Sequence, residues 1–393
     1  MADHDLTRRG ALKTIGAATG AAGVSGLASA DPGEQVEVNV GFANDAGARA
    51  FRRKADDIER EFAFDAGTAT MPRAAADALE NNPNIRYVEE NGTMHALGQT
   101  LPWGIDRVDA EVSHSSGETG SGADIAIIDT GIDSDHPDLQ ANVGSGKAFV
   151  SCNTKGGCRF GAKPADNTCN YAWDDDNNHG THCAGIADGV DNTEGVLGVS
   201  TDATLHAVKV LDKCGSGSFS DIAAGIEYVA DQGWDVGSMS LGGSSGSSAL
   251  KDAVQYATDK GVFLVAAAGN DGPCSGCVGY PAAYSEVVAV GATTSSDGLA
   301  GFSSTGSEVE IAAPGKDVYS TVVGGYDTFS GTSMACPHVA GTAGKLMANG
   351  NSNSQTRNQL NSTAEDIGLA SNESGNGLLD DAAALGLDSS DST

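Results

Sequence analysis

Three short strings in this chain carry residues of the types that acyl transfer on a peptide bond requires. The reaction needs a nucleophile, a base that takes its proton, a carboxylate that orients the base, and donors for the oxyanion. Asp129 ends the apolar run ADIAIID, His179 begins HGTHCAGI, and Ser333 lies within SGTSMACPHVAG. We predict that these residues form a catalytic triad. His179 and Ser333 would each lie at a helix N-terminus, where free backbone N–H groups favour developing negative charge.

A fourth residue completes the set. Asn270 ends the buried run VFLVAAAGN, and we predict that its side-chain amide donates to the oxyanion together with the backbone N–H of Ser333. Taken singly, each residue has a structural alternative: Asp129 or Ser333 as a helix cap, His179 as a core histidine, and Asn270 as a turn residue. Their joint occurrence favours catalysis.

The segments between these strings must bring the candidate residues together. From Gly98 onward, glycine-rich turns separate apolar runs such as ADIAIID, LHAVKVL and VFLVAAAGN. Strands of nearly continuous Ala, Val and Ile character are typical of a parallel sheet covered on both faces. Helical patterns lie between them, for example at 220–231 and 248–260. This alternation predicts a doubly wound α/β domain over residues 98–387, with Asp129 at the carboxyl edge of its sheet.

The first 30 residues have the composition of an export leader. They combine Arg8 and Arg9 with a short Ala/Gly-rich run and the small-residue sequence Ala28-Ser29-Ala30. The paired arginines resemble a twin-arginine signal, and an ordinary secretory leader is the alternative. Because the run is short and rich in glycine, we predict no membrane anchor.

Residues 31–97 alternate extended and helical patterns, with a charged helical stretch near 47–60. They predict a small α+β module in the order strand, helix, strand, helix, strand. At the other end, the polar residues 388–393 predict a disordered tail.

The charge balance excludes some classes of partner. The chain has 22 Lys and Arg against 53 Asp and Glu, for a net charge of −31. Nucleic acid and anionic membranes would be repelled, so neither is predicted as a partner. A surface this acidic is tolerable where the Debye length falls to about 3 Å, at molar salt, and we interpret it as adaptation to brine. An acidic surface that only maintains solubility is the alternative.

The strings DTGID, HGTHCAG and GTSMACPHVAG resemble the subtilisin and proteinase K superfamily. The resemblance runs from Glu34 to about Leu387, and the acidity and paired arginines make it closest to the halolysins of halophilic archaea. It implies a secreted, monomeric serine endopeptidase with a subtilisin-like α/β fold that cleaves proteins and peptides. In that family the base is the first His of HGTH, so His136, His182 and His338 are predicted to be structural.

Residues 31–97 resemble the inhibitory propeptides of the same family. This implies a ferredoxin-like domain that assists folding as an intramolecular chaperone and then binds as a product-like inhibitor. The string MHAL, ending at Leu97, precedes GQTLPWGI. We predict autocleavage after Leu97, which would make Gly98 the first residue of the mature enzyme.

The family resemblance also implies a substrate cleft bordered by two stretches of backbone. Glycine in these stretches lets another backbone approach closely. A glycine at the floor of the primary pocket leaves room for a large apolar side chain before the scissile bond. Phe219 and Ile222 correspond to a second apolar pocket, although both could belong to the core. The implied substrate-binding residues are Gly215, Gly217, Phe219, Ser240, Leu241, Gly242, Gly269 and Gly279.

A structural calcium ion is a further implication of the resemblance. Hard oxygen ligands suit Ca²⁺, and the string HPDL and the loop GVDNTEGVLG supply them. The run Asp174-Asp175-Asp176 is another conceivable cation site, and a solvated acidic loop is the favoured interpretation. The implied ligands are side-chain oxygens of Gln99, Asp138 and Asn192 and carbonyl oxygens of Val190, Glu194 and Val196.

All eight cysteines lie between Cys152 and Cys336. An exported protein permits disulfides, and the stretch between Asp138 and His179, longer than in ordinary subtilisins, would benefit from one. The pairing among Cys152, Cys158, Cys169 and Cys214 stays open. Cys274 and Cys277 favour a small disulfide over zinc, because no second pair completes four ligands. Cys183 and Cys336, which follow His179 and Ser333, are predicted to be buried thiols.

Two other functions share these features. A non-catalytic binding protein could use the same fold, because a fold alone does not establish activity. An esterase or peptide ligase could use the same triad. The presence of all four chemical positions favours the endopeptidase.

Overall fold

The computed structural model describes residues 35–91, 99–158 and 164–389. The described residues form two compact units, 35–91 and 99–389. The predicted leader, the predicted cleavage point after Leu97 and the end of the predicted tail lie outside the described residues. None of the helices within the described ranges is both long enough and apolar enough to cross a bilayer.

The first unit is a four-stranded antiparallel sheet with two helices. Its strands run in the order β2-β3-β1-β4. Val38, Val40 and Phe51 are among the residues of its apolar core. Its elements are β1 Gln35–Phe42, α1 Asp45–Lys54, β2 Asp57–Phe62, β3 Ala66–Pro72, α2 Arg73–Glu80 and β4 Ile85–Glu90.

The sequence-based order of elements is wrong in the middle of this unit. The predicted helix near 47–60 ends at Lys54, and residues 57–62 form β2, so two strands separate the helices instead of one. Asn44 caps the helix through its side chain, and Ala55 already has extended backbone angles. The segment DIEREF pairs with β3. Strand pairing therefore overrides the charged, helix-like composition of this segment.

The second unit contains a seven-stranded sheet in the order β11-β10-β9-β8-β5-β7-β6, and every pair is parallel. Its strands are β5 Asp124–Asp129, β6 Lys147–Ala148, β7 Thr204–Lys209, β8 Val236–Met239, β9 Phe263–Ala267, β10 Val288–Thr293 and β11 Val309–Pro314, with a separate antiparallel pair, β12 Val318–Val322 and β13 Gly325–Phe329. Its helices are α3 Trp103–Arg107, α4 Ala110–Ser115, α5 His179–Asp188, α6 Phe219–Gln232, α7 Ser248–Asp259, α8 Thr332–Ala348, α9 Asn353–Thr363, α10 Ser371–Ser374 and α11 Asp381–Ala384. The predicted α/β fold is confirmed.

Both faces of this sheet are covered, as the continuous apolar strands predict. Ile125 and Ile127 of β5 belong to the core that includes residues of α5 and α8. Ala126 and Ile128 belong to the opposite core, with residues of α6 and α7. Successive side chains of a strand alternate between faces, so a strand buried on both sides must be apolar throughout.

The order of the strands creates a crevice at the end of β5. After β5 the chain forms β6 and β7 on one side of that strand and later β8 on the other. Ligands bind in parallel α/β sheets at such reversals, beyond the carboxyl ends of the strands. Asp129 is the last residue of β5, and Ser240 and Asn270 follow β8 and β9 closely. The topology therefore gathers several of the candidate residues at one edge.

Candidate active site

Asp129 and His179 are in direct contact. Nδ1 of His179 lies 2.8 Å from Oδ1 of Asp129, whose side chain is fully buried, while the imidazole is about a quarter exposed, at 27%. The same oxygen accepts the N–H of Thr130 at 2.7 Å. Burial alone would lower the pKa of His179, but the charge and hydrogen bond of Asp129 outweigh it and raise that pKa above 6.5. The pair is therefore arranged to stabilise an imidazolium.

Asp175 holds the turn that presents His179. Its Oδ1 accepts the hydroxyl of Thr130 at 2.9 Å and the N–H of Asn177 at 2.8 Å. Its Oδ2 accepts the N–H and the hydroxyl of Thr181, at 2.9 and 2.6 Å, inside the first turn of α5. A buried carboxylate at a helix N-terminus satisfies otherwise unpaired N–H groups. Asp175 thus fixes the start of α5 against the end of β5.

The interpretation of residues 174–176 as a solvated loop is wrong. Asp174 and Asp175 are fully buried, and Asp176 is 1% exposed. Oδ1 of Asp176 pairs with Nζ of Lys209 at 2.6 Å, and Lys209 also donates to the carbonyl of Thr130. A buried charge requires a partner, so the lysine within the apolar run AVKVL was a signal that a buried carboxylate lies near it.

Ser333 is the second residue of α8, as predicted for a helix N-terminus. Its hydroxyl donates to the carbonyl of Ser240 at 3.2 Å, and the hydroxyl of Ser240 donates to the carbonyl of Ser333 at 2.7 Å. The thiol of Cys183 donates to the same carbonyl at 3.4 Å. A side-chain atom of Cys183 in turn lies within 4.8 Å of atoms of both Asp129 and His179. These contacts gather the side chains of Asp129 and His179 and the backbone carbonyl of Ser333 around Cys183, while the hydroxyl of Ser333 is directed to Ser240.

Asn270 and Ser333 face a common space beside Gly331. Oδ1 of Asn270 accepts the N–H and the hydroxyl of Thr332, at 2.9 and 3.0 Å. Because a backbone N–H can only donate, these bonds fix the oxygen of the amide on that side and turn Nδ2 away from it. A methyl group placed on Gly331 would lie 3.4 Å from Nδ2 of Asn270 and 3.6 Å from the backbone nitrogen of Ser333. The nitrogen atoms of two potential donors therefore border the same space.

Two adjoining cavities share Ser240, Leu241, Gly242 and Gly243. The smaller, of about 350 Å³, is lined by this stretch together with Gly269, Asn270, Gly279 and Ser333. The larger, of about 530 Å³, is lined by the stretch together with His179, Gly215, Gly217 and Phe219. All eight residues predicted to bind substrate thus border one cleft.

The lining of the two cavities includes residues that we predicted to form apolar substrate pockets. Gly269 has a φ of +114°, which L side chains rarely adopt, so the wall of the smaller cavity requires glycine at this position. Phe219 is 44% exposed and faces the larger cavity, whereas Ile222 is 8% exposed and belongs to the core as well as to the cavity wall.

The other histidines of the motifs are buried and uncharged. Burial lowers the pKa of His182 and that of His338 to about 4. It also lowers the pKa of His136. Cys183 and Cys336 are free and buried, and burial raises the pKa of the Cys336 thiol to about 11. Neutral side chains of this kind are suited to packing and not to proton transfer near neutral pH.

The predicted calcium ligands converge on Gln99. Its Nε2 donates to the carbonyls of Val190 and Val196, at 2.5 and 2.8 Å, and its Oε1 accepts the N–H of Asn192 at 2.9 Å. The carboxylate of Asp138 accepts from Nδ2 of Asn192 at 3.0 Å and from the N–H of Val196 at 2.7 Å. The amide of Gln99 thus presents Nε2, not the predicted oxygen, to the two carbonyls. With that amide turned by half a rotation, Oε1 would join the carbonyls and Asp138 in an oxygen-rich site of the kind that fits Ca²⁺.

Glu194 lies on the same loop. Its N–H donates to Oδ1 of Asn192 at 2.6 Å, and its side chain is exposed. The described contacts therefore bring five of the six predicted ligands together and place Glu194 beside them.

The cysteines resolve the pairing that the sequence left open. Cys152 bonds to Cys169, Cys274 bonds to Cys277, and Cys158 bonds to Cys214. The last bond connects a surface segment to the lining of the larger cavity, because Cys214 borders that cavity. Sequence spacing gave no signal for this link.

Comparison with known proteins gives the family of the chain. Residues 120–380 match the family described as the subtilase family. The chain is 42% identical over 342 residues to subtilisin amylosacchariticus of Bacillus subtilis subsp. amylosacchariticus, which covers 84% of this chain and 85% of that protein. Subtilisin E of Bacillus subtilis (strain 168) gives the same figures. An alkaline protease of Alkalihalobacillus alcalophilus is 44% identical over 311 residues, 78% of this chain and 76% of that protein. With most of its length matched in this way, the chain belongs to the subtilase family of serine endopeptidases.

Proposed function

We propose that the chain hydrolyses peptide bonds through an acyl-enzyme formed on Ser333, with His179 as general base, Asp129 as its orienting carboxylate and Asn270 as oxyanion donor. The observation that carries this proposal is the 2.8 Å contact between Nδ1 of His179 and the buried carboxylate of Asp129, together with the position of Ser333 as the second residue of α8. Such a contact fixes the tautomer with Nε2 free to accept a proton.

In the first step, Oγ of Ser333 attacks the carbonyl carbon while Nε2 of His179 takes its proton. The hydroxyl must first leave its hydrogen bond to the carbonyl of Ser240, a rotation about one side-chain bond. The carbonyl oxygen becomes an oxyanion that Nδ2 of Asn270 and the N–H of Ser333 stabilise. Collapse breaks the C–N bond, and His179 returns the proton to the leaving amine. Water then repeats the sequence on the ester and releases the acid.

The proposed substrate lies between the two borders of the cleft. Its backbone pairs with Ser240–Gly242 on one side and with Gly215–Gly217 on the other, in the manner of an added strand. The residue before the scissile bond enters the smaller cavity, whose lining includes Gly269 and Gly279. This lining supports a preference for a large apolar side chain at that position.

Serine-directed labelling tests the proposal. A phosphonate with an apolar residue at the position before phosphorus should add one equivalent to the secreted protein and block its activity. Peptide mapping should find the label on Ser333, because only a hydroxyl activated by His179 attacks phosphorus at a useful rate. A label on another serine, or turnover that persists after full labelling, would overturn the assignment.

The raised pKa of His179 predicts the acidic limb of the pH profile. A base must be neutral, and a histidine is protonated below its pKa, so kcat/KM falls as pH decreases through that pKa. Since Asp129 raises the pKa above 6.5, the midpoint of the limb should lie above pH 6.5. Measurement of kcat/KM with an uncharged peptide amide from about pH 5 to about pH 9 checks this. A midpoint well below 6.5 would contradict it.

We also propose that Gln99, Asp138, Val190, Asn192, Glu194 and Val196 hold a structural Ca²⁺. The ion would supply charge that neutralises the buried Asp138 and would fix the loop 190–196. The convergence of carbonyls on Gln99 supports this proposal. No step of the reaction depends on the ion.

Replacement of Asp138 should abolish the effect of calcium on stability. A ligand that binds only the folded state stabilises it by about 2.7 kcal/mol at 100-fold excess over Kd. The free energy of unfolding of the parent protein should therefore fall by about this amount with a chelator, and Asp138→Ala should be insensitive to it. Asp191→Ala removes an exposed carboxylate from the same loop and should retain the response. Equal chelator effects in Asp138→Ala and the parent would reject the site.

Export, maturation and salt adaptation belong to the same proposal. We propose that residues 1–30 direct secretion by the twin-arginine route and that 31–97 form an inhibitory propeptide removed after Leu97. Residues 98–393 contain 12 Lys and Arg against 38 Asp and Glu. Since most of the acidity lies in this part, we propose that the mature peptidase itself is adapted to high salt.

A further inference from the structure

The edge of the cleft formed by residues 212–217, here called the cleft edge, is a turn closed by one carboxylate. Oδ1 of Asp212 accepts the N–H groups of Cys214 and Ser216, at 2.9 and 3.0 Å. The N–H of Asp212 donates to the carbonyl of Ser216 at 2.9 Å. Residues 214–217 are exposed. The turn is therefore ordered within itself, but it buries little against the core, and other contacts must fix its position.

Three contacts connect the cleft edge to residues 155–177. Cys214 bonds to Cys158, and Nζ of Lys213 donates to the carbonyl of Lys155. Nδ2 of Asn177 donates to the carbonyl of Lys213 at 2.9 Å. Asn177 also accepts the N–H of His179 at 3.3 Å. The disulfide is the covalent member of this set.

The other end of the disulfide, Cys158, belongs to a segment that is anchored at its start. We call residues 152–158 and 164–172 the stapled segment. Within this segment, the N–H of Cys152 donates to the carbonyl of Ala172 at 2.8 Å, and the N–H of Asn153 donates to Oδ2 of Asp176 at 2.7 Å. Because Asp176 is buried and paired with Lys209, which also donates to the carbonyl of Thr130 beside Asp129, the start of the stapled segment is fixed next to the active site.

We propose that the Cys158–Cys214 disulfide is a specificity-determining pair, which holds the cleft edge in position to bind the residues upstream of the scissile bond. This inference rests on the proposed function, since it assumes that substrate pairs with Gly215–Gly217. An exposed, glycine-containing edge without this bond must be ordered by the substrate, and the ordering lowers affinity. A substrate that contacts only the smaller cavity does not touch the cleft edge, so its affinity should not depend on whether that edge is ordered.

The test compares two substrates in two double variants. Cys158→Ser/Cys214→Ser removes the bond to the cleft edge without leaving an unpaired thiol. Cys152→Ser/Cys169→Ser is the matched control, because it opens the stapled segment without releasing Cys214. The substrates are a tetrapeptide amide that reaches the cleft edge and an N-acetylated single-residue ester that does not.

In Cys158→Ser/Cys214→Ser, we expect KM for the tetrapeptide to rise about three- to tenfold, and the ratio of kcat/KM between tetrapeptide and ester to fall by the same factor. The control should keep the ratio of the parent protein. An unchanged ratio, an equal loss on both substrates or an equal fall of the ratio in the control would each overturn the inference. If the parent protein turned over neither the tetrapeptide nor the ester, the proposed function itself would be rejected.

A second measurement applies if the double variant does not fold. The folded protein carrying Cys274→Ser/Cys277→Ser, which removes the other bridge beside the cleft, is reduced under native conditions and capped. The ratio between substrates should fall in proportion to the fraction of Cys214 that mass spectrometry finds capped. A constant ratio at full capping of Cys214 contradicts the proposal.

Discussion

Ser333→Ala should lose about 10⁶-fold in kcat, a loss measured for a subtilisin and adopted here for another member of the family. Without the hydroxyl there is no acyl-enzyme, and His179 and the oxyanion donors can act only on water. The substitution removes one hydrogen bond, to the carbonyl of Ser240, so its effect on the free energy of unfolding should be about 1 kcal/mol. Casein clearing and turnover of a peptide amide measure the loss.

The variant should also keep residues 31–97 if the precursor cleaves itself, which intact mass would reveal. For that reason the comparison requires Ser333→Ala that has been processed by a small amount of active enzyme and then purified. Ser330→Ala is the matched control: it removes an exposed hydroxyl three residues earlier in the chain and should retain the turnover of the parent. Equal clearing by processed Ser333→Ala and the parent would defeat the assignment of the nucleophile.

The fold of the second unit was predictable because its helical patterns, its capping residues and its continuous apolar strands all indicate the same α/β arrangement. The helical patterns at 220–231 and 248–260 correspond to α6 at Phe219–Gln232 and α7 at Ser248–Asp259. Ser218 and Ser247 cap these helices through their side chains. The apolar strands between them admit one arrangement, a parallel sheet covered on both faces. Asp129 follows from the same argument, since the end of such a strand lies at the edge where ligands bind.

The parts that sequence did not predict depend on pairings between distant residues. From sequence alone, Asp176 was interpreted as a solvated acid. Its partner Lys209 lies 33 residues later in the chain, so local sequence does not reveal the buried ion pair. The bond between Cys158 and Cys214 spans 56 residues, and several pairings satisfied the sequence equally well. In the first unit, β2 exists because β3 pairs with it, although four of the six residues of DIEREF are charged. Burial and long-range pairing decide these cases, and neither can be read from local composition.

Asn270→Ala should lower kcat about 10²- to 10³-fold, with KM changed much less; this magnitude also comes from a subtilisin. The reason is geometric. Thr332 holds Oδ1 of Asn270, so Nδ2 faces the space that it shares with the N–H of Ser333. A donor in that position binds an oxyanion more strongly than a neutral carbonyl oxygen, so its loss appears in the transition state and not in the binding of substrate.

The kinetic split separates this role from a structural one. Loss of Asn270 also leaves two donors of Thr332 without their acceptor, and a displaced α8 would raise KM and lower the free energy of unfolding together. Asn349→Ala, at the far end of α8, removes an amide of the same size away from the cleft and should leave both kinetic constants near those of the parent. If Asn270→Ala lowered kcat less than about tenfold, or raised KM as much as it lowered kcat, the side chain would not be an oxyanion donor, and the N–H of Ser333 would have to stabilise the charge without it.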